Sequence, residues 1–315
     1  MVVPAGKVMM RNPTPSLASL ALAGVLLAGV LLAGCGFERR LEYVPVRAET
    51  MGGAQLSYSV YTPPGFREDE RLPLVVFLHG GGDDPAVFDR HGLSARFDAA
   101  YREGRLPRAV LMFPQGDNGF WMNWHDGTRH YQDWVVDELL PEVVRRYHTQ
   151  PCPQGCHVMG VSMGGHGALR FALDRPEAFR SVSALSGPIF DTEQMLDFTN
   201  NRLYSILIPT HRIFGPPDPA RVRDEDLFLR WDDPEDVRLS VFLAWGTNDR
   251  GGIKRLNERF SEHLEESGIH HHAEEYVGDH AWVSWAPVIE RALRYQVGRE
   301  ALEPSETTAR IVHEG

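Results

Sequence analysis

One short stretch restricts the possible folds of this chain more than any other. Residues 156–161 form an apolar run typical of a buried strand, and residues 168–173 have the composition of a helix. Between them stands Gly160-x-Ser162-x-Gly164, whose glycines let the strand and the helix approach closely. The turn predicts a strained backbone at Ser162, with its hydroxyl raised above a sheet and near the free N–H groups of the helix. With 30 glycines in 315 residues the motif is weak alone, so its context decides its meaning.

Strands and helices alternate along the rest of the chain. Apolar runs predict further strands at 55–61 (half-buried, because its residues alternate), 72–78, 109–113, 181–185, 239–245 and 271–277. Helical spacing predicts helices at 133–147 (kinked at Pro141), 253–267 and 287–297. This is an α/β layout with a mostly parallel sheet over residues 36–300, followed by a mobile polar tail at 301–315. Residues 188–236 interrupt the pattern and predict an insertion that acts as a lid over the functional face.

The N-terminus has the features of a targeting segment. Lys7 and Arg11 precede an apolar run over residues 17–33, which ends in Leu-Ala-Gly-Cys at Cys35. This ending resembles the bacterial lipobox, which implies removal of the preceding segment and lipidation of the Cys35 thiol. We therefore expect a domain outside the cytoplasm, in the bacterial cell envelope, held at a membrane by its lipid. An uncleaved helical anchor is the alternative interpretation.

The charge and the remaining cysteines agree with that location. The net charge of -11 and the lack of a basic stripe exclude a general nucleic-acid binder. Cys152 and Cys156 flank a Pro/Gly turn that brings two sulfurs together, which predicts a disulfide in an oxidising compartment. A metal pair with His157 is the alternative, although three ligands fall short of a structural zinc site.

Chemically useful residues gather where the predicted strands end. These places are the Gly run His79-Gly80-Gly81-Gly82, Ser162, Asp249 and His280. The carboxyl ends of parallel strands meet at one edge of a sheet, so we expect these residues to lie close together. A Gly run after a strand forms either a tight turn or a backbone cradle for an anion, and we favour the cradle. Ser, Asp and His follow one another in the order typical of α/β-hydrolases.

These motifs resemble the esterase D-like family of α/β-hydrolases, which includes feruloyl esterases, S-formylglutathione hydrolases, siderophore esterases and mycolyltransferases. The resemblance covers about residues 42–298 but leaves 190–236 unmatched. The matching segments are 60–66 (Val-Tyr-Thr-Pro-Pro-Gly-Phe), 77–82 (Phe-Leu-His-Gly-Gly-Gly), the loop with Trp121 and Trp124, 137–141 (Asp-Glu-Leu-Leu-Pro), 160–165 (Gly-Val-Ser-Met-Gly-Gly) and 279–285 (Asp-His-Ala-Trp-Val-Ser-Trp).

The resemblance implies a serine hydrolase that cleaves carboxylic esters of small molecules or polymers and needs no cofactor. Ser162 is then the nucleophile, His280 the general base, and Asp249 the carboxylate that orients the imidazole. The backbone N–H groups of Met163 and Gly81 are the expected oxyanion donors, with Gly82 as a rival. An acyltransferase is an alternative on the same fold, as is a catalytically inactive surface-binding lipoprotein. Peptidase activity is a weaker option.

The loop over residues 115–124 is too aromatic for a plain connector. We expect Trp121 and Trp124 to form flat walls of a substrate pocket near Gly82, the alternative being a packed aromatic cluster. Several residues compete for roles at the site, and we expect none of them to act there and no metal to bind. Asp279, Asp232, Asp233 and Asp236 are rival acids, His166 is a rival base, and His270, His271 and His272 suggest a metal site that strand alternation disfavours.

Overall fold

A computed structural model describes residues 41–235 and 237–298 of the chain. Its centre is a sheet of eight strands: β1 (Leu41–Ala48), β2 (Ala54–Tyr61), β3 (Leu74–Leu78), β4 (Val110–Pro114), β5 (Cys156–Val161), β6 (Ser181–Leu185), β7 (Ser240–Asn248) and β8 (His271–Asp279). They lie in the order β1-β2-β4-β3-β5-β6-β7-β8. The pairs β1–β2 and β2–β4 are antiparallel, and all other neighbours are parallel. This is the mostly parallel α/β-hydrolase sheet that the sequence predicted.

Helices cover both faces of the sheet. The turn at residues 160–164, which contains Ser162, is called the elbow. Before the elbow lie α1 (Val87–Arg90), α2 (Leu93–Arg102), α3 (Tyr131–Asp133), a π-helical segment (Trp134–Leu139) and α4 (Leu140–Arg146). The elbow helix is α5 (Met163–Asp174). It is followed by α6 (Thr192–Asn200), α7 (Arg202–Leu207), α8 (Thr210–Phe214), α9 (Pro219–Arg223), α10 (Leu227–Arg230), α11 (Gly251–Glu266) and α12 (Trp282–Val297).

Two apolar cores sandwich the sheet. One core joins Val76 and Val158 to the π-helical segment, α5 and α11. The other joins Val75 and Phe77 to α1, α2 and α12. Strands β3 to β6 are buried along their whole length, because a parallel sheet with helices on both faces leaves no strand face to solvent.

Strand β2 differs from its predicted half-buried character. Its first residues alternate in exposure, but Tyr58 to Tyr61 are all buried. The strand lies inside the sheet between β1 and β4, and the hydroxyl of Ser59 donates to the Pro85 carbonyl at 2.7 Å. That hydrogen bond satisfies a polar side chain in a position that alternation had assigned to solvent.

Two helix predictions also need correction. Helix α12 begins at Trp282, five residues before the predicted start, and Pro287 lies inside it. The N–H groups of Ser284 and Trp285 bond the Ala281 carbonyl at 3.0 Å, which closes a first turn that a start at Pro287 would exclude. The irregularity expected at Pro141 takes the form of the π-helical segment, which ends just before that proline.

Residues 188–235 carry five short helices, α6 to α10, between β6 and β7. Four of these helices begin with an Asp or Asn whose side chain accepts backbone N–H groups, namely Asp191, Asn201, Asp218 and Asp226. The predicted leader and lipobox of residues 1–35 with Cys35, the tail at 301–315, and Asp236 lie outside the described residues. Within the described residues, no helix combines the length and the apolarity needed to cross a membrane.

Candidate active site

Ser162 stands on a sharp turn between β5 and α5. Its backbone has φ 54° and ψ −123°, a region that costs a non-glycine residue free energy. A Cβ atom at Gly160 would overlap the Gly164 carbonyl, and one at Gly164 would overlap the Leu78 carbonyl. Both glycines of the motif are therefore required by the close contact of β5, α5 and the end of β3.

Ser162, His280 and Asp249 form a hydrogen-bonded series. His280 Nε2 lies 2.8 Å from Ser162 Oγ, and His280 Nδ1 lies 2.6 Å from Asp249 Oδ1. The His280 side chain is 7% exposed and that of Asp249 is fully buried. With Nδ1–H donating to the carboxylate, Nε2 is free to accept the serine proton.

Asp249 stays ionised in this buried position. Burial alone raises the pKa of its carboxyl group, but hydrogen bonds from His280 and Ser186, the charge interaction with His280 and the backbone N–H of Gly246 together lower it by more. Backbone N–H groups of Arg250 and Gly246 also donate to the carboxylate, at 2.8 and 3.4 Å. The pKa of Asp249 therefore lies below the ordinary aspartate value. A carboxylate that is to stabilise a neighbouring imidazolium has to be ionised in this way.

Ser186, Tyr276 and Trp285 support Asp249 and were missed by the sequence analysis. Ser186 is fully buried with φ 51°, and its hydroxyl lies 2.7 Å from the Tyr276 hydroxyl. The Trp285 indole donates to Ser186 Oγ at 3.2 Å, and its ring packs edge-on against His280 with centroids 4.9 Å apart. The available signal was the position of Ser186 at the carboxyl end of β6, beside the strand that carries Asp249.

The Gly run after β3 lies against Ser162. Gly81 and Met163 line the same cavity as Ser162, and a Cβ at Gly80 would lie 3.4 Å from Ser162 Cβ. The N–H of Gly82 already donates to Asn118 Oδ1 at 2.8 Å. Gly82 was the rival of Gly81 as an oxyanion donor, but its N–H is already engaged. Gly81 lines the cavity.

The cavity above Ser162 has a volume of about 1050 Å³ and two unlike sides. One side is apolar and is formed mostly by the insertion: Phe120, Pro188, Phe190, Phe198, Tyr204 and Ile208. The rings form a continuous wall, since Phe198 lies 5.5 Å from Phe120, 5.0 Å from Phe190 and 5.1 Å from Tyr204. The positively charged part of the lining comes from Arg250, Arg255 and the start of α11.

The expected pocket residues Gly82, Trp121 and Trp124 do not line this cavity. Trp121 is fully buried, and its indole N–H donates to the His79 carbonyl at 3.1 Å. Trp124 donates to the Gly119 carbonyl at 3.3 Å and packs under the Arg212 guanidinium. Both indoles bond carbonyls of their own surroundings, so they brace the loop that presents Phe120 and form the packed cluster of the alternative interpretation.

The rival residues are engaged elsewhere. His166 is fully buried and makes no hydrogen bond to Ser162, His280 or Asp249. Its Nδ1 lies 3.1 Å from the Pro188 carbonyl instead. Asp279 accepts from Ser284 at 2.7 Å on the exposed side of the site. His271 contacts Ser261 Oγ at 2.8 Å, whereas His272 stacks on Phe242.

A disulfide joins Cys152 to Cys156, the first residue of β5. Neighbouring His157 is buried, which lowers its pKa to about 4, and its Nδ1 lies 2.7 Å from Ser181 Oγ. Across residues 41–235 and 237–298 there is no group of three or more His, Cys, Asp or Glu arranged to hold a metal ion.

Comparison with known proteins identifies the family of this chain. The Esterase family model, described as "Putative esterase", matches residues 49–295. The chain belongs to this esterase family. An esterase of Mycobacterium tuberculosis strain H37Rv is 25% identical over 242 residues, covering 71% of this chain and 52% of that protein. The chain thus spans about half the length of this curated relative.

Solved structures show the same fold. A ferulic acid esterase superposes with a TM-score of 0.68 at 17% identity, covering 82% of this esterase-family chain and 97% of that one. A fluorophosphonate-binding serine hydrolase of Staphylococcus aureus superposes with a TM-score of 0.65 at 19% identity, covering 82% and 98%. At these identities the likeness establishes the α/β-hydrolase fold alone.

Proposed function

We propose that the protein is a serine hydrolase that cleaves carboxylic esters through an acyl-enzyme intermediate. The observation that carries the proposal is the hydrogen-bonded series from Ser162 through His280 to Asp249 at the floor of a cavity. Membership of the esterase family supports it. The reaction uses only groups of the chain and water, so it requires no cofactor.

In the first half of the reaction, Ser162 Oγ attacks the ester carbonyl carbon while His280 Nε2 takes the hydroxyl proton. The carbonyl oxygen becomes an oxyanion, which the N–H groups of Gly81 and Met163 stabilise. The C–O bond to the alcohol then breaks, and the imidazolium of His280 gives its proton to the departing alkoxide. Asp249 holds the imidazole in the required tautomer throughout and stabilises its positive charge.

In the second half, a water molecule gives its proton to His280 and attacks the acyl group on Ser162. The second tetrahedral intermediate collapses to release the acid and restore the Ser162 hydroxyl. The aromatic wall of Phe120, Phe190, Phe198 and Tyr204 offers the acyl group an apolar surface next to the nucleophile. We therefore propose esters with an apolar acyl group as substrates, with the insertion as the lid that shapes their site.

The test is hydrolysis of 4-nitrophenyl butyrate by the purified full-length chain and by its Ser162→Ala variant. We expect turnover that Ser162→Ala lowers by at least about three orders of magnitude, together with fluorophosphonate labelling that is lost in the same variant. Labelling of Ser162 without hydrolysis, but with acyl transfer to an added alcohol, would indicate an acyltransferase. Neither labelling nor turnover would indicate a binding protein on a hydrolase fold.

We further propose that Cys35 is lipidated and holds the domain at a membrane of the bacterial cell envelope. The proposal rests on the Leu-Ala-Gly-Cys ending of the apolar N-terminal run. In a fractionated bacterial host, the wild-type chain should sediment with membranes, and Cys35→Ser should move to the soluble fraction. Retention of Cys35→Ser in the membrane pellet would contradict lipid anchoring.

A further inference from the structure

The cavity has a cationic side that the proposed reaction does not use. Arg250 follows Asp249 directly, and Arg255 lies one turn into α11. Both arginines are exposed, and both line the cavity that contains Ser162. Gly252, Ile253 and Leu256 line it as well, so the cavity runs along the first turns of this helix.

In the described part of the chain, neither guanidinium group is paired with a carboxylate. Among the described residues, the structure gives Arg250 and Arg255 no ion pair and no side-chain hydrogen bond, whereas Lys254 and Arg259 of the same helix pair with Glu275 and Asp191. The positive end of the α11 dipole adds to the field at this place. An unpaired arginine offers a planar fork of N–H donors that matches the oxygens of a carboxylate or phosphate.

Among the described residues, the carboxylates that share the cavity form no ion pair with these arginines. Asp83 accepts a hydrogen bond from the Trp282 indole at 3.2 Å and lies 3.7 Å from Arg90, so it already has partners of its own. Burial raises the pKa of Asp83, which favours its neutral form. Asp197 is exposed on α6, in the insertion, and within the described part of the chain it makes no ion pair with either arginine.

The chain places the arginines next to the residues that would protonate the departing alcohol. The carbonyl oxygen of a bound ester must face Gly81 and Met163, and its apolar acyl group has the aromatic wall. The alcohol oxygen must lie within reach of His280 Nε2, which donates the proton. Asp249 contacts His280, and Arg250 is its chain neighbour, so the remainder of the alcohol passes along α11.

We propose that Arg250 and Arg255 bind an oxyanion, either carboxylate or phosphate, on the alcohol portion of the ester substrate. The inference rests on the proposed function and specifies its substrate class: an apolar acyl group esterified to an anionic alcohol. Opposite charges at the cavity also speed encounter with such a substrate, an effect that salt weakens.

The test compares three butyrate esters that differ in the leaving group: 4-carboxyphenyl, 4-(phosphonomethyl)phenyl and the uncharged 4-carbamoylphenyl. For each protein, the measured quantity is the ratio of kcat/KM for an anionic ester to kcat/KM for the neutral one. Using a ratio removes errors from incomplete folding of a variant. The proteins are the full-length wild type, Arg250→Gln, Arg255→Gln and the control Arg238→Gln. Arg238 is also exposed but precedes β7, at the opposite edge of the sheet.

We expect Arg250→Gln and Arg255→Gln each to lower the ratio about five- to tenfold at low salt, and Arg238→Gln to leave it unchanged. Raising the salt concentration to about 0.5 M should reduce the wild-type preference for the anionic esters. The anionic ester whose ratio falls more in the two arginine variants identifies carboxylate or phosphate as the preferred group, because the intrinsic reactivity of each leaving group is the same in every protein. Equal ratios in all four proteins would overturn the inference, as would a ratio that falls equally in Arg238→Gln.

A second measurement separates this inference from the proposed function. The same three esters are titrated calorimetrically into Ser162→Ala and into Ser162→Ala combined with Arg255→Gln. Tighter binding of an anionic ester that is lost in the double variant supports the arginine site whether or not the wild type turns the esters over. Identical affinities for charged and neutral esters contradict it, even if the wild type hydrolyses all three.

Discussion

The hydroxyl of Ser186 lies 2.7 Å from the hydroxyl of Tyr276, and Ser186 also hydrogen-bonds the carboxylate of Asp249. Burial raises the pKa of Tyr276, so its phenol keeps its proton and remains a donor. The Trp285 indole supplies a further N–H to Ser186. Three neutral groups from β6, β8 and α12 thus support the buried charge that orients His280.

We predict that Ser186→Ala lowers kcat/KM about ten- to a hundredfold, because a hydrogen bond to a buried charge contributes about 1.5–3 kcal/mol. Losing a donor to the charged form raises the pKa of Asp249, so the acidic limb of the pH–rate profile should move to higher pH. Ser183→Ala is the matched control, since Ser183 lies buried in β6, three residues before Ser186, and its hydroxyl has no partner among the described residues. A Ser186→Ala enzyme with wild-type rate and pH profile would show that Asp249 needs no such support.

The elbow glycines give a stability prediction. In Gly164→Ala the new Cβ would overlap the Leu78 carbonyl, which is backbone and cannot rotate away. We expect a loss of about 3 kcal/mol in the free energy of unfolding, measured by urea denaturation. Gly252→Ala serves as the control because nothing lies within 4 Å of its added Cβ. Its stability should change by less than about 1 kcal/mol. Equal effects of the two substitutions would contradict a steric requirement at the elbow.

The parts of the fold that follow from local pattern were predictable from sequence. Strand β3 is an uninterrupted apolar run, and β5 and β6 are mostly apolar, because both faces of each strand meet a core. Their ends supplied Ser162 and the Gly run, and the chain order of Ser, Asp and His then pointed to Asp249 and His280. The structure joins these three residues by hydrogen bonds.

Other features depend on contacts between distant segments and leave no local pattern. Ser186 supports Asp249 only because β6 and β7 are neighbours in the sheet. The sequence of an aromatic loop is the same whether its rings face a cavity or a core. For this reason Trp121 was wrongly assigned to the pocket, and the aromatic wall that contains Phe198 was not predicted. The helices of the insertion did have readable signals, such as the capping box formed by Asp191 and Gln194.

The aromatic wall of the cavity is expected to determine which acyl groups the enzyme prefers. Phe198 joins Phe120, Phe190 and Tyr204, so Phe198→Ala removes its centre. A buried apolar contact of this size contributes about 1–3 kcal/mol, so kcat/KM for an octanoate ester should fall at least about tenfold relative to an acetate ester. Trp124→Ala should leave the octanoate-to-acetate ratio unchanged, because Trp124 does not line the cavity. The reverse result would restore the tryptophan loop as the acyl site.

His166 makes the folded protein sensitive to acid. Burial lowers the pKa of this fully buried imidazole to about 3, and the nearby Arg170 lowers it as well. An unfolded histidine titrates near pH 6.5, so between about pH 6.5 and 3 the unfolded chain binds a proton that the folded chain does not. The contribution of His166 to the free energy of unfolding is therefore fully present above about pH 6.5. Below that pH it falls by up to about 1.4 kcal/mol for each pH unit.

His166→Asn tests this account. Asparagine does not titrate and retains an N–H donor for the Pro188 carbonyl, but it loses the packing of the imidazole against Phe120. We expect the variant to be less stable than the wild type at pH 7 and to lose stability more slowly between pH 6.5 and 4, measured by urea denaturation at each pH. His270→Asn, at an exposed histidine, should keep the wild-type slope. If His166→Asn also keeps that slope, the acid sensitivity arises at another residue, with buried His157 as the next to examine because its pKa is lowered to about 4.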